Sequence, residues 1–138
     1  CPADPALECV RAQIASDAAP DRAADEPRRM AEEDVARNAR EGYDDAAYGG
    51  VTSHREVLSE PATVAGQRGY RVRWRVATGQ GTEAYVESLV FPSPLGNGTF
   101  VRVRAAWDVH EEAPTEAEID RLLGDIRPLA DRRDPNEV

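Results

Sequence analysis

The feature that most constrains the fold is a strict alternation of apolar and polar side chains in two segments, residues 70–76 and 100–107. Period-two alternation is typical of β-strands that bury one face. A third and more apolar strand is predicted between them, over residues 84–91. The connecting segments 78–82 and 92–99 are too short for a parallel crossover, which needs about a dozen residues or more. The pattern therefore predicts an antiparallel meander of three to four strands.

One face of this sheet is predicted to be apolar and the other cationic. We expect the apolar face to combine Tyr70, Val72, Trp74, Val76, Val101, Val103, Ala105 and Trp107. The opposite face would then carry the candidate binding residues Arg71, Arg73, Arg75, Arg102 and Arg104. This assignment assumes that the aromatic-bearing faces of the strands form one core.

The five arginines have a functional and a structural interpretation. As a binding surface they would hold a carboxylate, a phosphate or an acidic partner. As a structural surface they would pair across strands with Glu83 and Glu87, or receive the acidic N-terminal helices. We favour the structural interpretation, because exposed ion pairs are common and each contributes only about 0.2–1 kcal/mol.

Two helices are predicted before the sheet. Leu7, Val10 and Ile14 lie at helical spacing and predict a short helix over residues 5–16. A linker rich in Ala, Asp and Pro follows, and a second helix is predicted over residues 27–40.

The C-terminal helix is the most strongly indicated helix. Thr115 and Glu118 match a capping box, in which each side chain satisfies a backbone N–H at the start of the helix. The apolar residues that follow share one helix face: Ile119, Leu122, Leu123 and Ile126. We predict that this face packs on the sheet and that Pro128 ends the helix.

Length and element order predict a single α+β domain. A chain of 138 residues can bury roughly two thirds of its unfolded surface in one core. We expect an acidic helical part over residues 1–50, the antiparallel sheet over 51–109, the C-terminal helix over 115–128 and a tail over 131–138. Pro61 is expected to interrupt the first strand of the sheet segment.

The net charge of −9 argues against two classes of partner. Clustered positive charge is what binds nucleic acid or an anionic membrane, and here 26 acids outnumber 17 arginines. No apolar run approaches the ~20 residues of a membrane span. We therefore expect a protein or small-ligand partner, with an anchoring or targeting segment possible upstream of Cys1.

Cys1 and Cys9 are the only cysteines. An even count at close spacing favours a disulfide in an oxidising compartment, and the alternative is a pair of free thiols. Cys1 would instead carry a lipid if it were the first residue of a processed lipoprotein.

Catalytic and metal-binding patterns are weak. Asp108, His110 and Glu112 alternate at the end of the last strand and would make a two-carboxylate, one-imidazole metal set. A charged strand end that runs into a loop is the better interpretation. No serine lies in a Gly-x-Ser-x-Gly elbow. We predict no catalytic residue, no metal ligand and no cofactor.

Four segments between Tyr48 and residue 129 carry a resemblance to a known group of proteins: Val51-Thr52-Ser53, Pro61-Ala62-Thr63-Val64-Ala65-Gly66-Gln67-Arg68-Gly69-Tyr70, Val72-Arg73-Trp74 and Tyr85-Val86-Glu87-Ser88-Leu89-Val90-Phe91-Pro92-Ser93-Pro94. On these residues the sequence resembles actinobacterial secreted or membrane-anchored envelope proteins with a PsbP-like α/β/α sandwich domain. The helix around Ile119 fits as well. The N-terminal third departs from the family pattern, because it predicts helices where a PsbP-like domain opens with strands. Either this third hides an extra strand, or the fold is a neighbour such as a cystatin-like helix and sheet, which is our second choice.

The resemblance implies an extracytoplasmic, non-enzymatic domain and supplies no catalytic residues. We therefore predict an interaction or accessory domain of the bacterial cell envelope. The alternative is a small-ligand carrier, with a pocket between helix and sheet lined by Trp74, Tyr85 and Trp107.

Overall fold

The computed structural model describes residues 1–19 and 26–127. In chain order the elements are β1 (Ala12–Ala18), α1 (Pro27–Gly42), α2 (Asp45–Tyr48), β2 (Val51–Val64), β3 (Gln67–Thr78), β4 (Glu83–Pro92), β5 (Phe100–Asp108) and α3 (Glu116–Gly124). The strands form one antiparallel sheet in the order β1-β5-β4-β3-β2. Helices pack on this sheet, so the α+β prediction is confirmed.

Strands β2 to β5 form the predicted meander, but the N-terminal segment differs from the prediction. Residues 12–18 form β1, which pairs with β5 and brings Ala12 opposite Trp107. The helix predicted over residues 5–16 is therefore wrong. The strand prevails because β5 would otherwise leave a row of backbone N–H and C=O groups unpaired at the edge of the sheet.

The first strand of the meander runs through Pro61 without a break. Pro61 lies opposite Tyr70 on β3, and β2 is an edge strand of the sheet. Proline is tolerated in an edge strand, because its missing N–H faces away from the ladder. The predicted interruption is wrong for this reason.

Helices cover the sheet on both faces, and each face has its own apolar core. On one face α1 buries Met30, Val35 and Ala39 against side chains that include Val72, Val76, Val86 and Val90. On the other face α3 buries Ile119 and Leu123 against side chains that include Leu89, Phe91, Val103 and Trp107. We call these the α1 face and the α3 face.

Strand register shows that the predicted single apolar face is wrong. Trp74 pairs with Val86, and Val86 pairs with Ala106, so these three side chains lie on the α1 face. Trp107 follows Ala106 and therefore points to the other side of the sheet, the α3 face, whereas Trp74 lies on the α1 face. Alternation within a strand establishes which residues share a side, whereas only the pairing of neighbouring strands decides which sides coincide.

The capping box at the start of α3 is confirmed. Thr115 accepts a hydrogen bond from the Glu118 backbone N–H at 3.2 Å, and the Glu118 side chain accepts one from the Thr115 N–H. The apolar stripe holds only in part, because Leu122 is 55% exposed. The helix ends at Gly124, and the predicted stop at Pro128 and the tail over 131–138 lie outside the described residues.

The predicted disulfide is confirmed. Cys1 and Cys9 are bonded, with their Cα atoms 5.0 Å apart. The bridge closes an N-terminal loop, and its Ala3 N–H donates to the Ala47 carbonyl on α2 at 2.9 Å. In the described ranges, 1–19 and 26–127, none of the helices has the length and hydrophobicity of a membrane span.

Candidate functional site

The five candidate arginines do not form one surface. Arg102 and Arg104 lie on the α1 face, because they pair with Val90 and Ser88 of β4. The others lie on the α3 face: Arg71, Arg73 and Arg75. The predicted continuous cationic face is therefore wrong, for the same reason of register that separates Trp74 from Trp107.

On the α1 face the arginines are bound to Asp34 of α1. The Arg104 guanidinium donates to both carboxylate oxygens of Asp34, at 2.7 and 2.9 Å. Arg102 donates to Asp34 Oδ1 at 2.9 Å, and the Ser88 hydroxyl donates to Oδ2 at 2.6 Å. Asp34 is buried, which the acidic run around it does not indicate.

Arg102 and Arg104 each form a second ion pair, with an acid other than Asp34. Arg102 pairs with Asp17 of β1, and Arg104 donates to Glu41 of α1 at 2.6 Å. The acidic N-terminal region thus lies over these arginines, as the structural interpretation predicts.

The ionisation of this cluster follows from its hydrogen bonds. Burial by itself would raise the pKa of Asp34, but hydrogen bonds from Arg104 and Ser88 and the nearby positive charges outweigh burial, so the pKa lies below its usual value. The hydrogen bond from Arg102 likewise lowers the pKa of Asp17. Asp34 and Asp17 therefore stay ionised at neutral pH, paired with Arg102 and Arg104.

On the α3 face the central pair is Arg73 and Glu87. The Arg73 Nε donates to Glu87 Oε1 at 2.7 Å, and both side chains are buried. Arg71 donates to the same oxygen at 3.0 Å. Helix α3 completes the cluster, because Glu116 and Asp120 accept from Arg73 and Asp120 also accepts from Arg71.

Aromatic rings lie beside the α3-face arginines. The Arg73 guanidinium carbon lies 5.1 Å from the centre of the Trp107 ring, and that of Arg75 lies 5.1 Å from the Tyr85 ring. Arg75 also pairs with Glu83 at 3.3 Å. Glu83 and Glu87 of β4 therefore form ion pairs with arginines of β3, as the structural interpretation predicts.

The three residues of the potential metal set at the end of β5 are not arranged as metal ligands. Asp108 is buried and accepts hydrogen bonds from Tyr43 at 2.9 Å and from Arg11 at 3.2 Å. His110 is exposed, and its Nδ1 accepts the Glu112 backbone N–H at 3.0 Å. Among the residues that the structure describes, no three His, Cys, Asp or Glu side chains are close enough to hold a metal ion.

The predicted carrier pocket is not formed by the three aromatic residues. Tyr85 and Trp107 stack on the α3 face with ring centres 5.3 Å apart. Trp74 lies on the α1 face, where it stacks with His54 at 3.9 Å. A single pocket cannot be lined by side chains on opposite sides of the sheet.

An apolar groove lies instead at the end of the α3 face that α3 leaves open. Its volume is about 470 Å³. We call it the α3-face groove, and it is lined by Ile14, Ala15, Ser16, Ala65, Phe91, Ser93, Pro94, Leu95, Val101, Val103, Ile126 and Arg127. Arg127 is the charged residue of this lining, and Leu95 on the rim is 72% exposed.

Five separate parts of the chain form this groove, and for that reason sequence patterns did not indicate it. Ile14 comes from β1, Phe91 from β4, Leu95 from the loop after β4, and Ile126 from the residues after α3. One signal was available in the sequence, an apolar residue in the polar turn at Pro94-Leu95-Gly96. An apolar side chain there has no strand or helix face to pack on.

Comparison with known proteins adds no relative, since no protein-family model matches the chain and no curated protein matches it. The resemblance to PsbP-like domains stays a prediction.

Proposed function

We propose that this protein is a non-enzymatic binding domain of the bacterial cell envelope, located outside the cytoplasm, and that its binding site is the α3-face groove. The ligand is small and mainly apolar, with one acidic or hydrogen-bonding group that faces Arg127. This is the carrier role of the alternative prediction, moved from the aromatic residues to the groove.

The groove is the observation that carries this proposal. Small-molecule sites are clefts of about 300–1,000 Å³, lined mainly by apolar side chains with a few polar groups that orient the ligand. A groove of about 470 Å³ with Ser16, Ser93 and Arg127 among apolar residues has this composition. The arginines of the sheet are less suitable as a site, because the chain's own acids already occupy them.

The disulfide supports the proposed compartment. Disulfides persist in secreted and other extracytoplasmic proteins and are rare in the cytosol. The bond also uses the Cys1 sulfur, so Cys1 cannot carry a thioether-linked lipid while it is bonded to Cys9.

The charged clusters support a binding role over catalysis. A general acid or base works best with a pKa near the working pH. Here hydrogen bonds and opposite charges move the pKa values away from neutral pH. The pKa values of Asp34 and Asp120 are lowered, and those of Arg73 and Arg104 are raised. Such shifts hold ion pairs together and give no proton donor or acceptor at neutral pH.

Binding of 1-anilinonaphthalene-8-sulfonate tests the proposal, since this dye joins apolar rings to one anionic group. We expect saturable binding to the folded protein, weakened about tenfold by Leu95→Asp, which corresponds to about 1.4 kcal/mol. Leu122→Asp is the matched control, because Leu122 is also an exposed leucine but lies outside the groove. Equal loss in both variants, or no saturable binding, contradicts the proposal.

A protein-interaction role is the second candidate, favoured by the exposed Leu95 on the rim of the groove. A photo-reactive residue at position 95 tests it in the producing bacterium, with the exposed Val57 on β2 as the control position. Crosslinking to one defined protein from position 95 alone favours interaction, whereas a small molecule retained in native mass spectrometry favours the carrier.

A further inference from the structure

We propose that β1 is a self-pairing edge, at which two copies of this chain join antiparallel to form one continuous sheet. The partner is a second copy. Ile14, Ala15 and Ser16 of β1 also line the α3-face groove, but the pairing does not require a ligand there.

Along its outer edge, β1 has backbone N–H and C=O groups that point away from β5 at every second residue. The Arg11 carbonyl accepts from Asp108 N–H at 2.8 Å, and the Ala19 N–H donates to the Phe100 carbonyl at 3.0 Å. In an antiparallel ladder the N–H and C=O of one residue point to the same neighbour, and the direction alternates along the strand. The odd-numbered residues therefore bond to β5, and the even-numbered residues face outward: Ala12, Ile14, Ser16 and Ala18.

The two edge strands of the sheet, β1 and β2, differ in how well they are protected against pairing with a further strand. The edge at β2 has two register irregularities, and it also carries Pro61 and the charged Arg55, Glu56 and Glu60. Bulges, proline and charge are the devices by which proteins prevent edge pairing. Strand β1 pairs with β5 in unbroken register, and its only charged residue, Asp17, is already held by Arg102. Within the described part of the chain, β1 is the final strand of the sheet and no further strand pairs with it.

One register makes β1 complementary to itself. With the two-fold axis at Ala15, Ala12 meets Ala18 of the second copy and Ile14 meets its Ser16. Every outward-facing residue then meets an outward-facing residue, so the backbone hydrogen bonds are satisfied on both strands. A shift by one residue would place outward-facing residues opposite inward-facing ones.

The side chains fit the same register. Gln13 lies opposite Asp17 of the second copy, and the Gln13 amide can donate to that exposed carboxylate. No like charges face each other along the strand. On the other face, the two Ile14 side chains become diagonal neighbours beside the two grooves, which reduces the exposure of an apolar residue that is 42% exposed in the single chain.

A cysteine placed on the axis tests the register directly. In this arrangement the Cα atoms of the two Ala15 residues lie about 4.5 Å apart, within the range that a disulfide spans. Ala15→Cys should therefore give a covalent dimer on a non-reducing gel under mild oxidation. Ala18→Cys is the matched control, because residue 18 of one copy lies about 20 Å from residue 18 of the other. Equal crosslinking at both positions, or none at position 15, overturns the proposal.

Sedimentation of the unmodified protein tests the pairing without a crosslink. We expect a concentration-dependent dimer of twice 15.1 kDa. Ser16→Pro removes an outward N–H that the single chain does not use, so it should leave a folded monomer, whereas Ser16→Ala should still dimerise. A monomer at all concentrations, or a dimer that persists in folded Ser16→Pro protein, overturns the proposal.

Introducing a charge at an exposed position covers the case in which the proline variant fails to fold. Gln13→Asp places two acids opposite each other and should weaken dimerisation about five- to tenfold, whereas Gln13→Arg should strengthen it. No change in either variant contradicts the register. Dye binding in the groove has a separate readout, so failure of the pairing leaves the proposed binding function untouched.

Discussion

Asp34 on α1 and Arg104 on β5 form a two-point ion pair, in which the guanidinium donates to both carboxylate oxygens at 2.7 and 2.9 Å. Asp34 also binds Arg102, so two arginines of the sheet share one buried acid. We predict that Asp34→Asn lowers the free energy of unfolding by about 3 kcal/mol, because it removes the buried carboxylate that both arginines share. Urea denaturation measures this change. Glu33→Gln is the control, and for this exposed neighbour we expect a change below about 0.5 kcal/mol.

The lowered pKa values of Asp34, Asp17 and Asp120 predict acid sensitivity. In the unfolded chain an aspartate titrates near pH 3.9, above its pKa in the folded protein. The stabilisation is therefore fully present above that unfolded value and is lost as the pH falls through the lower folded values. We expect a constant unfolding free energy above about pH 5 and a steep decline below about pH 4. Denaturation curves at a series of pH values check this, and Asp34→Asn should make the decline shallower.

The buried pair of Arg73 and Glu87 predicts a large effect of removing one partner. Arg73→Ala leaves the Glu87 carboxylate buried with only Arg71 beside it, and should cost about 3–5 kcal/mol. The loss should change little in high salt, because buried charges are weakly screened. Arg68→Ala, at an exposed position on the same strand, is the control. Replacing both partners by apolar residues, as Arg73→Met with Glu87→Leu, should cost less than the sum of the single changes.

Neighbouring leucines on α3 test the packing of that helix. Leu123 is buried against the α3 face, whereas Leu122 is exposed. We predict that Leu123→Ala costs about 2–4 kcal/mol and that Leu122→Ala stays within about 0.5 kcal/mol. Similar losses for the two variants in denaturant titrations would mean that α3 packs in another orientation.

The disulfide predicts a local effect. Titration of the unreduced, denatured protein should find no free thiol, because Cys1 and Cys9 are bonded. Replacing both by serine should lower the unfolding free energy by at most about 2–3 kcal/mol, since the bond closes only a short loop. A larger loss would show that the loop also supports β1, which begins soon after Cys9.

Several elements could be predicted because their signal is local. The alternation at residues 70–76 and 100–107 predicts strands by itself, and short connections make them antiparallel. The capping box at Thr115 and Glu118 identifies the start of α3 from its side chains alone. Proximity in sequence also made the Cys1–Cys9 bond predictable.

Other features depend on residues far apart in the chain. β1 is a strand because β5 offers it a free edge, and its own apolar spacing indicated a helix. The burial of Asp34 requires Arg102 and Arg104 to lie beneath α1, which no feature of residues 27–42 shows.

The sequence by itself determined the strands of the meander, the capping box and the alternation that gives each of these strands two distinct sides, because each of these depends on residues close together in the chain. The tertiary structure decided which sides coincide. Pairing Trp74 with Val86 and Val86 with Ala106 places Trp74 and Trp107 on opposite faces and divides the arginines between two cores. Strand register is set by packing and backbone pairing across the whole sheet, and a shift of one residue in any strand would have exchanged its two sides.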